Sequence, residues 1–318
     1  MKKFLFFLLG LLLLACLCAL VLNPEKYAKC TLEGLNLWAF TVLPALLPFV
    51  FLTLLIKNAG GANFVSRILS PATAFLYGTN GTAPAFAALI SCISGYPVGA
   101  KTVAELYKSN LIDQADARTA ALFCSTSGPS FVIGSVGVRM LGSAQAGALI
   151  YVCHVLSAAF CGVIFRKRRD NGVIAPLFNK EEPSVKLYDC AMDATLSCLC
   201  VGTLITVFYV FNQVLSDLNL TAPLVFAFAA LLKDENKAAA LTAGLIECTK
   251  GCFMAANAAA ADIPLICAIV SFGGLSVIAQ SMAFLSRAQV KAGAFVLGKA
   301  AQAVIAYILS LIACRVFL

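Results

Sequence analysis

The sequence predicts an all-α polytopic membrane protein built from inverted repeats, with re-entrant helical hairpins and broken transmembrane helices. Three observations carry this reading. Of 318 residues, 61% are hydrophobic and only 12% charged, with a mean hydropathy of +0.93. A soluble domain has about 25% charged residues, so this chain has more apolar surface than one core hides. The apolar runs are continuous rather than alternating, which selects helices over a barrel as the spanning element. Finally, two motif pairs recur in the same order along the chain.

The leading run Phe4–Leu22 follows Lys2 and Lys3. Leu13-Leu14-Ala15-Cys16 looks like a lipoprotein cleavage site, but the run continues to Leu22, about 19 residues in all. That is long enough to span, so residues 1–30 are expected to be a retained N-terminal transmembrane helix. Further spans are expected at Gly34–Ile56, Arg118–Val138, Ala144–Phe165, Ala191–Val214, Ala222–Leu232, Ala261–Leu285 and Ala292–Phe317. Thr82–Leu106 and Ala238–Ala260 are different, because each is interrupted at its middle by Gly and polar residues. Each half is about ten residues and too short to cross, so a hairpin entering and leaving on one side fits better.

The repeats sharpen this. Ala87–Lys101, AALISCISGYPVGAK, meets Ala243–Asn257, AGLIECTKGCFMAAN, 156 residues on, with identities at Ala87, Leu89, Ile90, Cys92, Gly95 and Ala100. Ser125–Ser135, STSGPSFVIGS, meets Ser271–Ser281, SFGGLSVIAQS, 146 residues on, with identities at Ser125, Gly128, Ser130 and Ser135. The expected organisation is a first repeat over 31–165, a basic cytoplasmic loop over 166–189 and a second repeat over 190–318. If each hairpin stays on one side, each repeat crosses three times, an odd number, so the second is inverted. Interrupted helices at matching places in two inverted halves mark the solute site of secondary carriers.

The net charge of +8 comes from 23 Lys and Arg against 15 Asp and Glu. The positive residues concentrate in Arg166–Lys186, as cytoplasmic loops do, and no aromatic-interleaved basic face accompanies them. Lys2, Lys3 and Lys57 then lie inside, and Asn23–Lys29 outside. Nucleic acid is excluded as a partner. Most of the 14 cysteines lie in apolar runs, where they act as small hydrophobes. Neither Cys198-Leu-Cys200 nor Cys248…Cys252 has the paired spacing of a zinc site, so no metal, cofactor or disulfide framework is expected.

Four stretches are candidates for a solute site. In SGYPVGAK, Gly95 and Gly99 allow a turn and a close approach. Pro97 suits the first turn of a new helix, whose N-terminus favours anions. Lys101 adds charge there, Tyr96 could stack on a ring, and Ser94 opens the break. A plain loop with a snorkelling lysine is the bland alternative. Ser125, Thr126, Ser127 and Ser130 surround Gly128-Pro129, which breaks a span and frees carbonyls for hydroxyls or a solute to meet. Ser271, Gly273, Gly274, Ser276 and Gln280 repeat the idea, with close helix packing as the alternative. Glu247 and Lys250, with Asn257, lie in the second hairpin; at i and i+3 the charged pair could also neutralise each other. His154 reads as a bonded packing residue. No nucleotide loop, nucleophile elbow or metalloprotease motif is present, so no enzyme activity is expected.

These four stretches, SGYPVGAK, STSGPSFVIGSVG, LIECTKG and SFGGLSVIAQ, resemble the YlbJ family of sporulation integral membrane proteins. That family carries nucleoside-recognition (Gate) domains and is distantly similar to concentrative nucleoside transporters. The resemblance covers roughly Gly34 to Arg315. It implies a carrier in a bacterial cytoplasmic or spore membrane, with the lipid bilayer, a small polar or anionic solute, a coupling ion and a homo-oligomeric state among its partners. Dipicolinate, moved during sporulation, is the solute it suggests, gripped by the hairpin N-termini and Lys101. A nucleoside carrier and a non-transporting assembly factor of the sporulation machinery are the alternatives.

Overall fold

A computed structural model of the protein describes residues 2–59, 61–79, 82–166, 186–258 and 261–317. All regular structure among them is helical. The basic-loop reading of residues 167–185 lies outside the described residues.

Helix α1 (Lys2–Leu22) opens the chain. Pro24–Ile56 follows as one continuous apolar span: α2 (Pro24–Leu37), a π-helical turn at Trp38–Val42, then α3 (Leu43–Asn58). The helix α4 (Gly61–Tyr77) leads into the first interrupted segment. It resolves into α5 (Ala83–Ser94) and α6 (Val98–Lys108), joined at Gly95–Pro97. Next come α7 (Gln114–Phe123), an unwound stretch over 124–128, and a π-helical segment over Ser130–Met140. The span α8 (Ala144–Ile164) closes this half.

The second half repeats that order: the long span α9 (Leu187–Asp217), the short connector α10 (Ala222–Leu232), and a hairpin of α11 (Glu235–Ile246) and α12 (Cys248–Ala256). A broken helix follows, α13 (Ile263–Phe272) and α14 (Gly274–Leu285), and then the span α15 (Ala292–Phe317). The α10 run is not a span as expected from composition. Eleven residues reach about 17 Å, well short of a hydrocarbon core of about 30 Å. Each hairpin limb is likewise too short to cross.

Leucines and other large apolar residues are exposed along α1, α8, α9 and α15, including Leu13, Phe160, Leu199, Val207, Leu297, Val304 and Ile308. Lipid is the solvent that suits such a surface. The protein is an integral membrane protein, with five helices long and apolar enough to cross among the described residues. Inside, small residues let backbones approach. A Cβ on Gly202 would stand 2.3 Å from the Trp38 ring, which holds α9 against the Pro24–Ile56 span.

The hairpin identities and the hairpin joints do not coincide. The first joint is Gly95–Pro97 and the second is Glu247, whereas the identities align Gly95 with Gly251, inside α12. Gly99, the second residue of α6, packs on Cys124 O and Ser91; Gly251, the fourth of α12, packs on Gly244 of α11.

Candidate functional site

Each hairpin tip seats on the broken helix of its own half. In the first half, Gly95 adopts φ +73°, and a Cβ on Gly128 would meet Ile93 O and Ser94 C at 3.1 Å. In the second, Gly274 adopts φ +75°, and its Cβ would meet Gly244 O at 2.8 Å and Cys248 N at 3.0 Å. Gly128 and Gly274 are the pair matched in sequence. A Cβ would press on backbone at both places, hardest at Gly274, where φ is positive as well.

The tips are finished differently. Pro97 is the N-cap of α6 and offers no side-chain hydrogen bond. Glu247 is the N-cap of α12, and its buried carboxylate accepts Thr249 N at 3.0 Å and Lys250 N at 2.6 Å. Two amides at a helix N-terminus offset part of the cost of burying this carboxylate.

Between the tips and breaks lies a small cavity, partly open to its surroundings. Both halves line it. The polar wall consists of Ser94, Tyr96, Ser127, Glu247, Thr249, Ser276 and Gln280. The apolar wall comes from Val42, Leu46 and Phe131 on one side and Val201, Ile205 and Val277 on the other. A mostly apolar pocket with a few convergent polar groups is the usual form of a small-molecule site. The buried hydroxyls of Ser130, Ser135, Ser276 and Ser281 have no hydrogen-bond partner. They are two sequence-matched pairs, one on each half-helix, and Ser276 faces the cavity.

Behind Tyr96 runs a buried polar network. Lys299 of α15, 1% exposed, donates to Tyr96 Oη, to Ser125 O at 3.0 Å and to Gln302 Oε1 at 2.6 Å. Gln302 Nε2 reaches His154 O at 3.3 Å. His154 Nε2 accepts Ser127 N–H at 2.8 Å, and its Nδ1 lies 2.8 Å from Ser271 Oγ. The imidazole therefore ties both broken helices together. Since Nε2 accepts, Nδ1 carries the proton and Ser271 Oγ accepts it.

The structure gathers most of the sequence-read residues. Ser94, Tyr96, Ser127, Gly128, Glu247, Ser276 and Gln280 line the cavity. Gly95, Pro97, Gly99, Gly273 and Gly274 shape the turns beside it. Ser125, Thr126 and Ser271 are buried in the supporting network, Thr126 through a 2.9 Å contact with Ser91 Oγ. Pro129 is the N-cap of the π-helical segment that Ser130 begins. Three residues lie elsewhere. Lys101 is half exposed, with its ammonium 3.8 Å from Glu105 one turn on. Asn257 caps the far end of α12 and bonds Phe253 O. Lys250 Nζ meets Gln213 Oε1 at 3.4 Å and the face of Tyr209 at 4.2 Å. Lys299 and Gln302 were not singled out in the sequence, and His154 was set aside. An ionisable residue inside the apolar run Ala292–Phe317 was the available signal for the first two.

Residues 39–144 match the Gate family, described as nucleoside recognition. The chain is also 28% identical, over 316 residues, to the sporulation integral membrane protein YlbJ of Bacillus subtilis; the match covers 89% of this chain and 76% of that protein. No solved structure matches. The family resemblance read from the four motifs is thus borne out.

Proposed function

We propose that the protein is a membrane carrier for a small polar solute bound in the cavity between the two hairpin tips. One observation carries the reading: four interrupted helical elements, two from each half, end around a single mixed apolar and polar pocket. Secondary carriers place their sites where half-helices meet at the repeat interface. The repeated element order supports inverted halves that rock about this point. The match to YlbJ supports a role in sporulation and a bacterial cytoplasmic or spore membrane as its place.

The wall favours a neutral ring bearing hydroxyl or amide groups, as in a nucleoside. Phe131 and Tyr96 offer ring surface, and Ser94, Ser276 and Gln280 offer hydrogen bonds. The charge in the wall is the Glu247 carboxylate, which already caps α12, and Lys101 is remote. A dianion such as dipicolinate is the second reading. It is favoured by the unpartnered Ser276 hydroxyl in the first turn of α14, where the helix dipole welcomes negative charge. We assign no covalent chemistry to the cavity.

The test is uptake of labelled uridine and labelled dipicolinate into liposomes holding the purified protein, its Ser276→Ala variant and its Phe131→Ala variant. Saturable uridine uptake that falls in both variants supports the neutral-solute reading. Dipicolinate uptake that falls in Ser276→Ala selects the anion. Uptake of neither solute by folded protein, with binding of neither, removes the carrier reading for both classes and favours a non-transporting assembly factor.

A further inference from the structure

We propose that the ammonium of Lys299 is a built-in cation, holding on a tether the place where a carrier of this design would otherwise bind an inorganic monovalent cation. The position is defined by three acceptors from three elements. Tyr96 Oη comes from the first hairpin tip, Ser125 O from the unwound stretch after α7, and Gln302 Oε1 from α15 itself. The Ser125 carbonyl lies just past the C-terminus of α7, where the helix dipole leaves partial negative charge. Unwound carbonyls and half-helix C-terminal ends are the groups that hold coupling cations in secondary carriers.

The kind of acceptor separates this role from an ordinary ion pair. A buried lysine kept for structure is normally matched by a carboxylate. Among the described residues no carboxylate pairs with Lys299, and its shell is a phenol oxygen, a backbone carbonyl and an amide oxygen. Neutral oxygens converging on an ammonium match the coordination of a monovalent cation. A primary ammonium, compact and with three donors, is its nearest side-chain equivalent. The Tyr96 ring, 5.1 Å from Lys299 Nζ, adds a further neutral partner. Because Tyr96 and Ser127 line the cavity, the cation fixes the surface on which a solute rests. The charge role stands without the carrier reading; only its consequence for uptake depends on it.

Thermal unfolding of the detergent-purified protein tests this with no solute present. NaCl, KCl or methylammonium chloride is titrated against choline chloride at constant ionic strength. The wild-type melting temperature should not respond. Lys299→Ala, which vacates the position, should melt lower and regain about 3 °C or more, saturably, in Na+, K+ or methylammonium but not in choline. Lys299→Met fills the space without charge and should stay low in every salt. Saturable stabilisation of the wild type by Na+ or K+ overturns the proposal, as does Lys299→Met melting with the wild type or Lys299→Ala recovering equally in choline. Should neither variant fold, the wild-type titration decides: a saturable response overturns the built-in cation, and its absence supports it. A failed carrier reading would show in the uptake assay and leave these melts unchanged.

Discussion

A Cβ on Gly95 would stand 2.3 Å from the amide nitrogen of Gly128. The first hairpin tip and the first broken helix therefore touch backbone to backbone, with no room for a methyl group. Gly95 also sits at φ +73° and ψ −161°, a region open to glycine almost alone. Strained backbone there costs of order 1–3 kcal/mol for another residue, and overpacking adds about 1–3 kcal/mol. Gly95→Ala should lower the melting temperature by many degrees and abolish uptake. Gly293→Ala is the control: its Cβ meets nothing within 4 Å, and it lies in α15. That variant should melt at or slightly above the wild type, as alanine favours helix. Equal melting of the two variants would dissolve the argument from the tip.

His154 makes a second link, this time between halves. Removing its imidazole leaves the Ser127 N–H buried without an acceptor, which costs about 1–3 kcal/mol. His154→Leu keeps comparable apolar bulk and should lose that much. His154→Gln supplies an acceptor and a donor and should recover part of the loss. A melt in which the two variants coincide would show that packing alone holds this helix.

The fold was largely legible because bilayer physics is written in composition. Long apolar runs mark spans, and mid-run Gly, Pro and Ser mark breaks. The tips and broken helices emerged where SGYPVGAK and STSGPS predicted them. What stayed hidden depends on contacts distant in sequence. His154 reads as a lone histidine because its partners Ser127 and Ser271 lie 27 and 117 residues away. Lys299 and Gln302 share a helix face at i and i+3, and that polar pair within an apolar run was readable but passed over. Lys101 was readable too. In α6 the buried set Gly99, Ala100, Thr102, Val103, Ala104 and Leu106 leaves Lys101 and Glu105 on the opposite face. Proximity to a helix N-terminus in sequence does not decide which way a side chain leaves the helix.

Lys101→Ala should consequently change little. An exposed i,i+4 pair contributes about 0.3–0.5 kcal/mol, so the melting temperature should move by about 1 °C or less. Uridine uptake should match the wild type. Loss of uptake in this variant, with its melt unchanged, would restore an anion grip at the first break.

The base of the second hairpin offers a cleaner separation of two effects at one residue. Asp262 Oδ1 caps α13 by accepting Leu265 N at 2.9 Å, while Oδ2 takes Lys237 Nζ of α11 at 2.8 Å. The cap starts the helix whose other end seats the second tip, and the ion pair ties that helix to the hairpin itself. Asp262→Asn keeps an oxygen for the cap and loses the charge. It should cost less than about 1 kcal/mol, and the cost should shrink as salt rises, because the pair is partly exposed and screened. Asp262→Ala loses both and should cost about 0.5–2 kcal/mol more, with that additional part indifferent to salt. Melts of the three proteins at low and high NaCl check both statements. A salt-dependent difference between Asn and Ala would mean that the cap is not what starts α13.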